Sequence, residues 1–323
     1  MRSQFFRFLK FISLNFWFQR QKEKRLYILM FHQVSDEQKT FYRPTPVKVF
    51  RGICQHLWRY HKVIHISEVK AHFQKSNRSA VVISFDDGHL DIAKNAFPAL
   101  SKYKLKFNIN IDTEILETGL PQDFVRVYDM LNQVDATTYF DDEYMATPIK
   151  IDRENPANTE NEFTATLSKL NPLQRRKFVT NMAEHFGLDK TKFSKMLSKQ
   201  DVKNLSSAGA EVGSHSHSHP IFTAIPEELV EFEMLKSKNI LEEITGAKVQ
   251  ILAYPNGQFN SNIENLALKS GFNYLLKTED KINTIDNPET DTFFRINQYF
   301  SSTEESIASM YGFHSLVNSL RNR

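Results

Sequence analysis

The sequence predicts an α/β fold, a parallel sheet or barrel, and three observations carry that prediction. Short apolar runs alternate with amphipathic stretches at helical spacing along most of the chain. One such run, Val81-Val82-Ile83-Ser84-Phe85, passes straight into Asp86-Asp87-Gly88. A second predicted strand, Ala210-Glu211-Val212-Gly213-Ser214, leads into His215-Ser216-His217-Ser218-His219-Pro220. Buried strands that deliver polar residues at their C-terminal ends are how α/β folds build their sites.

In chain order, residues 26–31 read as the first buried strand, closing on His32. Residues 46–60 have helical spacing, with Val49, Phe50, Ile53, Leu57 and Tyr60 on one face. A short strand at 63–66, the acidic strand, a helix over 92–103 and a strand at 107–111 follow. Regularity is lost between about 113 and 200, where residues 135–165 hold eight acids against two bases. This stretch is expected to be an insertion, a polar loop followed by helices at 172–186 and 190–197. Alternation resumes with a helix capped by Asp201, the strand at 210–214 and a long amphipathic helix over 226–245 ended by Gly246. A strand at 249–254 closed by Pro255-Asn256-Gly257, a helix at 263–270 and short strands at 274–276 and 293–296 complete the series. Residues 303–320 are helical in pattern.

The 323 residues suffice for one large α/β domain with an insertion or for two ordinary domains. A formal charge of +3 gives no argument for nucleic acid as partner. The single cysteine, Cys54, excludes an intrachain disulfide and agrees with a reducing compartment. Residues 1–25 carry seven Lys or Arg against one acid, interleaved with aromatics. A secretory signal needs an unbroken apolar run of about 7–15 residues, and Arg7 and Lys10 interrupt this one. No spanning run of about 20 apolar residues is present either. An interfacial helix fits this mixture, and a helix packed on the protein's own body is the alternative. The expectation is a cytoplasmic protein, peripheral on the inner membrane through residues 1–20, followed by one domain over 26–323.

A carboxylate and two histidines make a divalent-metal set, and two histidines with one carboxylate leave coordination positions open for chemistry. His215 and His219 are four residues apart. On a helical turn their imidazoles face one way and His217 points elsewhere, whereas on a loop the Ser216 hydroxyl could steady one of them. Only one aspartate of the Asp86-Asp87 pair need ligate, leaving the other free as a general base. Taken alone, the histidines could also be a solvated cluster, and the acidic strand could end in an ordinary turn.

Three motifs in order, Ser-Phe-Asp-Asp-Gly, Gly-Ser-His-Ser-x-x-His-Pro and Ala-Tyr-Pro-x-Gly, resemble those of the polysaccharide deacetylases, carbohydrate esterase family 4 with NodB homology. The setting of His32, Leu29-Met30-Phe31-His32-Gln33-Val34-Ser35-Asp36, resembles the permuted subgroup that includes the poly-N-acetylglucosamine deacetylases. The resemblance implies a distorted (β/α) barrel holding a zinc or similar divalent ion. It implies removal of an acetyl group from an N-acetylated sugar, or less often from an O-acetyl ester, and attachment to the inner membrane through residues 1–20 would favour a lipid-linked or nucleotide-linked sugar over a finished polymer. It also makes Asp86 the base, Asp87, His215 and His219 the metal ligands, and the backbone N–H of Asn256 an oxyanion donor. His32 becomes the acid for the leaving amine, in preference to the late His314. Members with an arginine in the third motif place it where Ala253 stands here, and Arg295 is available to take over its orienting of the base. Two alternatives remain open at this level: an inactive glycan-binding relative, and a deformylase of a lipid-linked amino sugar.

Overall fold

Apolar runs that are buried on both faces become parallel strands, and the computed structural model describes them within residues 23–287 and 289–313. The basic aromatic segment over 1–22 and His314 lie outside the described residues. Strand β1 (Arg25–Phe31) precedes helices α1 (Val47–Tyr60) and α2 (Val69–Lys75), then β2 (Ala80–Phe85), α3 (Phe97–Lys102), β3 (Phe107–Ile111) and α4 (Glu114–Thr118). Next come α5 (Asp123–Leu131), the antiparallel pair β4 (Thr138–Phe140) and β5 (Ile149–Ile151), α6 (Pro156–Leu167) and α7 (Pro172–Phe186). Alternation resumes with α8 (Lys199–Ser207), β6 (Ala210–Ser214), α9 (Glu227–Thr245), β7 (Ile251–Ala253), α10 (Ser261–Lys269) and β8 (Tyr274–Leu276). Strands β9 (Asn283–Thr284), β10 (Thr292–Phe293) and β11 (Ile296–Asn297) and helix α11 (Thr303–Ala308) follow.

The main sheet runs β10-β8-β7-β6-β3-β2-β1-β11, with β9 antiparallel to β1 and every other pairing parallel. Its two ends, β10 and β11, are separated in sequence by Phe294 and Arg295 alone, so the sheet nearly closes into a barrel at that seam. Side chains alternate across it as a pleated strand requires. Tyr27, Leu29 and Phe31 of β1 and Val81, Ile83 and Phe85 of β2 pack outward with Phe50, Ile53 and Leu57 of α1. Leu26, Ile28, Ala80, Val82, Ile251 and Leu276 point inward and meet Ile64, Ile66, Val69 and Phe73. That last group closes the N-terminal side of the barrel, where Ile64 N–H bonds the Val81 carbonyl and Ile66 N–H bonds Glu211.

Toward the C-terminal ends the inward positions turn polar. An unpaired buried amide costs about 1–3 kcal/mol, and the amides and hydroxyl of this layer largely bond one another. Ser84 Oγ donates to Asn108 Oδ1 at 2.8 Å, Asn108 Nδ2 donates to the Glu211 carbonyl at 3.2 Å, and Asn110 Nδ2 reaches Ser84 Oγ at 3.1 Å. Helices α5 to α7 enclose a separate apolar cluster that includes Phe140, Phe163, Phe178 and Met182, together with Phe41 from the β1–α1 connection.

Several local expectations change. The polar stretch 135–165 contains β4, β5 and most of α6. Residues 193–197 are not helical, because they pair with the loop after the acidic strand: Leu90 N–H bonds the Lys195 carbonyl and Leu197 N–H the Gly88 carbonyl. Tertiary pairing overrides helical spacing there. Helix α8 is capped by Ser198, whose side chain accepts from Asp201 N–H, so Asp201 is the reciprocal partner in a capping box. The late strand at 293–296 is two short strands with Arg295 in the break between them.

Candidate active site

Every predicted site residue in the described region lies at a strand's C-terminal end. His32 follows β1, Asp86 and Asp87 follow β2, His215 follows β6 with His219 on the loop after it, Asn256 sits in the turn after β7, and Arg295 falls between β10 and β11. Six non-glycine residues among those described have left-handed backbone conformations. Five belong to this region: Tyr42 (φ 49°), Asp87 (71°), Ser216 (74°), His219 (53°) and Asn256 (51°). Such conformations are costly for L residues and persist where surrounding contacts over-determine them, as they do at binding sites.

Asp86 is 1% exposed. Its Oδ1 accepts from Arg295 Nη1 at 2.7 Å and from Asn110 Nδ2 at 2.7 Å. Its Oδ2 has no protein partner and lies 3.9 Å from His215 Nε2. Burial pushes this carboxyl up, but the charges of Arg295, His215 and His32 outweigh it and hold the group below its usual range. Asp86 is therefore ionised at neutral pH with one oxygen tied and one free.

Asp87 uses its two oxygens differently. Oδ1 lies 3.6 Å from His215 Nε2 and 4.0 Å from His219 Nε2. Oδ2 accepts from the Tyr42 hydroxyl at 2.8 Å and has His89 Nε2 at 3.7 Å. The Tyr42 ring stacks on Tyr128 of α5 (centroids 5.3 Å apart, planes at 16°) and stands edge-on to His32 at 5.8 Å. The histidines lie on a bent loop rather than a helix: the Ser216 hydroxyl accepts from His219 N–H at 2.9 Å. His215 Nδ1 lies 2.8 Å from the Ala253 carbonyl, which can only accept, so Nδ1 carries the proton and Nε2 presents its lone pair inward. Burial, then the neighbouring His215, push His219 well below the ordinary imidazole value and keep it neutral. His217 turns away, toward Thr113 Oγ1 and Lys236 Nζ, each at 2.8 Å.

Asp87, His215 and His219 each offer a donor atom, and these atoms lie within 4.8 Å of one another. Metal bonds of about 2.0–2.2 Å at tetrahedral angles place neighbouring donors roughly 3.3 Å apart, so small side-chain movements bring this set onto a divalent ion. The donor set fits. His32 is half-buried; burial lowers its basicity, against the opposing pull of Asp87 and then Asp86. The Pro255–Gly257 turn is fixed by Gly257 N–H donating to the Tyr254 carbonyl at 2.8 Å, with Asn256 at its left-handed corner.

Sequence reasoning missed Tyr42, His89 and Asn110, which contact Asp87 or Asp86. Asn110 had a legible signal, since Phe107-Asn108-Ile109-Asn110-Ile111 alternates amides with apolar residues inside a strand. Tyr42 lies in a connection with no periodic pattern and gave none.

Comparison with protein families matches residues 73–275 to polysaccharide deacetylase. No curated protein matches the sequence. Among solved structures, the Streptococcus pyogenes deacetylase PplD in complex with acetate is similar at a TM-score of 0.60 and 16% identity, over 89% of this chain and 99% of that one. IcaB from Ammonifex degensii gives 0.57 and 16% over 89% and 97% of the two chains. The de-N-acetylase from Aggregatibacter actinomycetemcomitans gives 0.54 and 17% over 87% and 96%. These likenesses are likenesses of fold, and they share the nearly closed barrel described above. With the family match covering well over half of its length, this chain belongs to the polysaccharide deacetylase family and so to the deacetylating hydrolases.

Proposed function

We propose that the enzyme hydrolyses the acetamide of an N-acetylated amino sugar in a glycan or glycan precursor, with Asp86 as base and His32 as acid. The observation that carries this reading is the asymmetry of Asp86: Oδ1 is held by Arg295 and Asn110, while Oδ2 is unpartnered and faces His215. Asp87, His215 and His219 are the residues to hold a divalent ion, with zinc the first choice for one carboxylate and two imidazoles. Such an ion supplies Lewis-acid polarisation and lowers the pKa of water toward neutrality.

Asp86 Oδ2 removes a proton from the attacking water as its oxygen bonds to the acetamide carbon. The Asn256 N–H serves as a backbone donor for the negative charge that develops on the carbonyl oxygen. The C–N bond then breaks, the sugar nitrogen takes the proton of the His32 imidazolium, and acetate departs. The imidazolium is the form that donates; burial favours the neutral ring, and the negative charges of Asp87 and then Asp86 oppose that and favour the proton on His32. Among the described residues no helix is long and apolar enough to cross a membrane. Attachment through residues 1–20, and with it a lipid-linked substrate, rests on the sequence pattern.

The test is to incubate the zinc-loaded protein with N-acetylglucosamine oligosaccharides and measure acetate and free amine together. Stoichiometric release, lost in Asp86→Asn with about one equivalent of metal retained, is expected. Formate release from an N-formyl sugar without acetate release would move the activity to deformylation. Sugar binding with no turnover would identify a non-catalytic relative.

A further inference from the structure

We propose that Asp112 is a substrate-contact residue, accepting hydrogen bonds from hydroxyls of the sugar ring that carries the acetamide; this rests on the deacetylase reading above. The argument begins with strand parity. On β3, Phe107, Ile109 and Ile111 pack outward, while Asn108 and Asn110 point into the barrel, where Asn110 holds Asp86. Any Cβ at Gly213 of the neighbouring β6 would run into the Asn110 amide, which fixes the same inward direction. The ladder continues past the strand: His215 N–H bonds the Ile111 carbonyl at 3.0 Å, and Thr113 N–H bonds the Ser216 carbonyl at 3.3 Å. Asp112 therefore keeps the inward side, one step further out than Asn110, at the level of the ligand histidines.

Its surroundings do not explain a carboxyl there. Asp112 is 1% exposed, yet neither of its oxygens has a protein donor. Arg175 of α7 spends Nη1 on the His219 carbonyl at 2.8 Å and makes no bond to Asp112. Burial, then the acids Asp87, Glu233, Asp86 and Glu114, push this carboxyl upward, and the Arg175 guanidinium is within electrostatic reach without making a hydrogen bond to it. A strand end that served only packing would be more stable with an apolar or amide side chain. The degree of burial is that of the chemistry-bearing residues beside it: Asp86 1%, Asp87 2%, His215 2% and His219 4%. Sugar hydroxyls both donate and accept, so they satisfy this group in either protonation state.

The experiment uses zinc-loaded wild type, Asp112→Asn and Asp112→Ala with N-acetylglucosamine oligosaccharides and a panel of singly deoxygenated analogues. Melting temperatures are recorded with and without the deacetylated oligosaccharide. Expected are melting temperatures of the free variants at or above wild type, a fall in kcat/KM of about 10- to 100-fold, and loss of the sugar-induced shift. One deoxy analogue should cost wild type as much as the Asp112→Ala change does, and should cost Asp112→Ala nothing further. Acetate release by the variants at the wild-type kcat/KM would overturn the assignment while leaving the deacetylase reading intact. A wild type that releases no acetate but shows a sugar-induced shift that both variants lose would overturn that reading and keep Asp112 as a sugar contact.

Discussion

Arg295 Nη1 lies 2.7 Å from Asp86 Oδ1, across the two-residue seam where the barrel nearly closes. The two side chains are 0% and 1% exposed. The Arg295 Nε is bonded to the Lys277 carbonyl at 3.0 Å, so the guanidinium is fixed from both sides. With Ala253 in the third motif, the positive charge beside Asp86 comes from the end of the sheet rather than from β7.

Removing one member of a buried pair leaves the other charge uncompensated, which typically costs about 3–5 kcal/mol. Arg295→Met should lose stability on that scale in urea unfolding. Asp86→Asn combined with Arg295→Met should lose clearly less than the sum of the single changes. Strict additivity would show that the pair is not coupled.

Tyr42 acts on Asp87, the carboxylate proposed to hold the ion, rather than on the ion itself. Its hydroxyl occupies Asp87 Oδ2, leaving Oδ1 toward the histidines. Tyr42→Phe keeps the ring stacked on Tyr128 and removes only that bond. Loss of such a supporting hydrogen bond typically weakens metal binding by about 10- to 100-fold. Zinc affinity measured by competition with a chelator should fall accordingly, with little change in melting temperature of the metal-free protein.

The leaving group separates the acid from the base. His32→Gln should lower kcat on the acetamide by about 10²- to 10⁴-fold. It should spare hydrolysis of 4-nitrophenyl acetate, whose phenolate leaves without a proton. His314→Gln should leave both rates near wild type, and the opposite pattern would transfer the acid role to His314.

Asp91 gives a pH signature of its own. Burial raises this carboxyl to about 6, from a model-peptide value near 3.8. Between those values the folded protein binds the proton and the unfolded chain does not, so stability falls as pH rises from about 4 to about 6 and levels off above. At about 1.36 kcal/mol per unit the penalty is at most about 3 kcal/mol. Asp91→Asn, whose amide oxygen can still accept from Val34 N–H, should melt higher than wild type at pH 7.5, with the difference vanishing toward pH 4. An equal difference at both pH values would refute the assignment.

The strand that delivers Asp86 and Asp87 was legible in the sequence because a parallel strand buried on both faces is a near-continuous apolar run, and one that ends in carboxylates marks its own functional end; the strand before His215 and His219, with Glu211 and Gly213 in it, was legible from its place in the alternation and from the imidazoles that follow it. Helix α9 was legible for a similar local reason, amphipathic spacing ended by Gly246 in a left-handed cap. What joins residues far apart in the chain left no such trace. The extended course of 193–197 depends on edges of the loop at 88–90, and local spacing pointed to a helix instead. The free oxygen of Asp86, the Tyr42 bond to Asp87 and the unpartnered carboxyl of Asp112 are likewise set by how the barrel closes. Periodicity records which face of an element is buried; which atoms then meet across the barrel mouth is decided only when strands separated by up to about two hundred residues come into register.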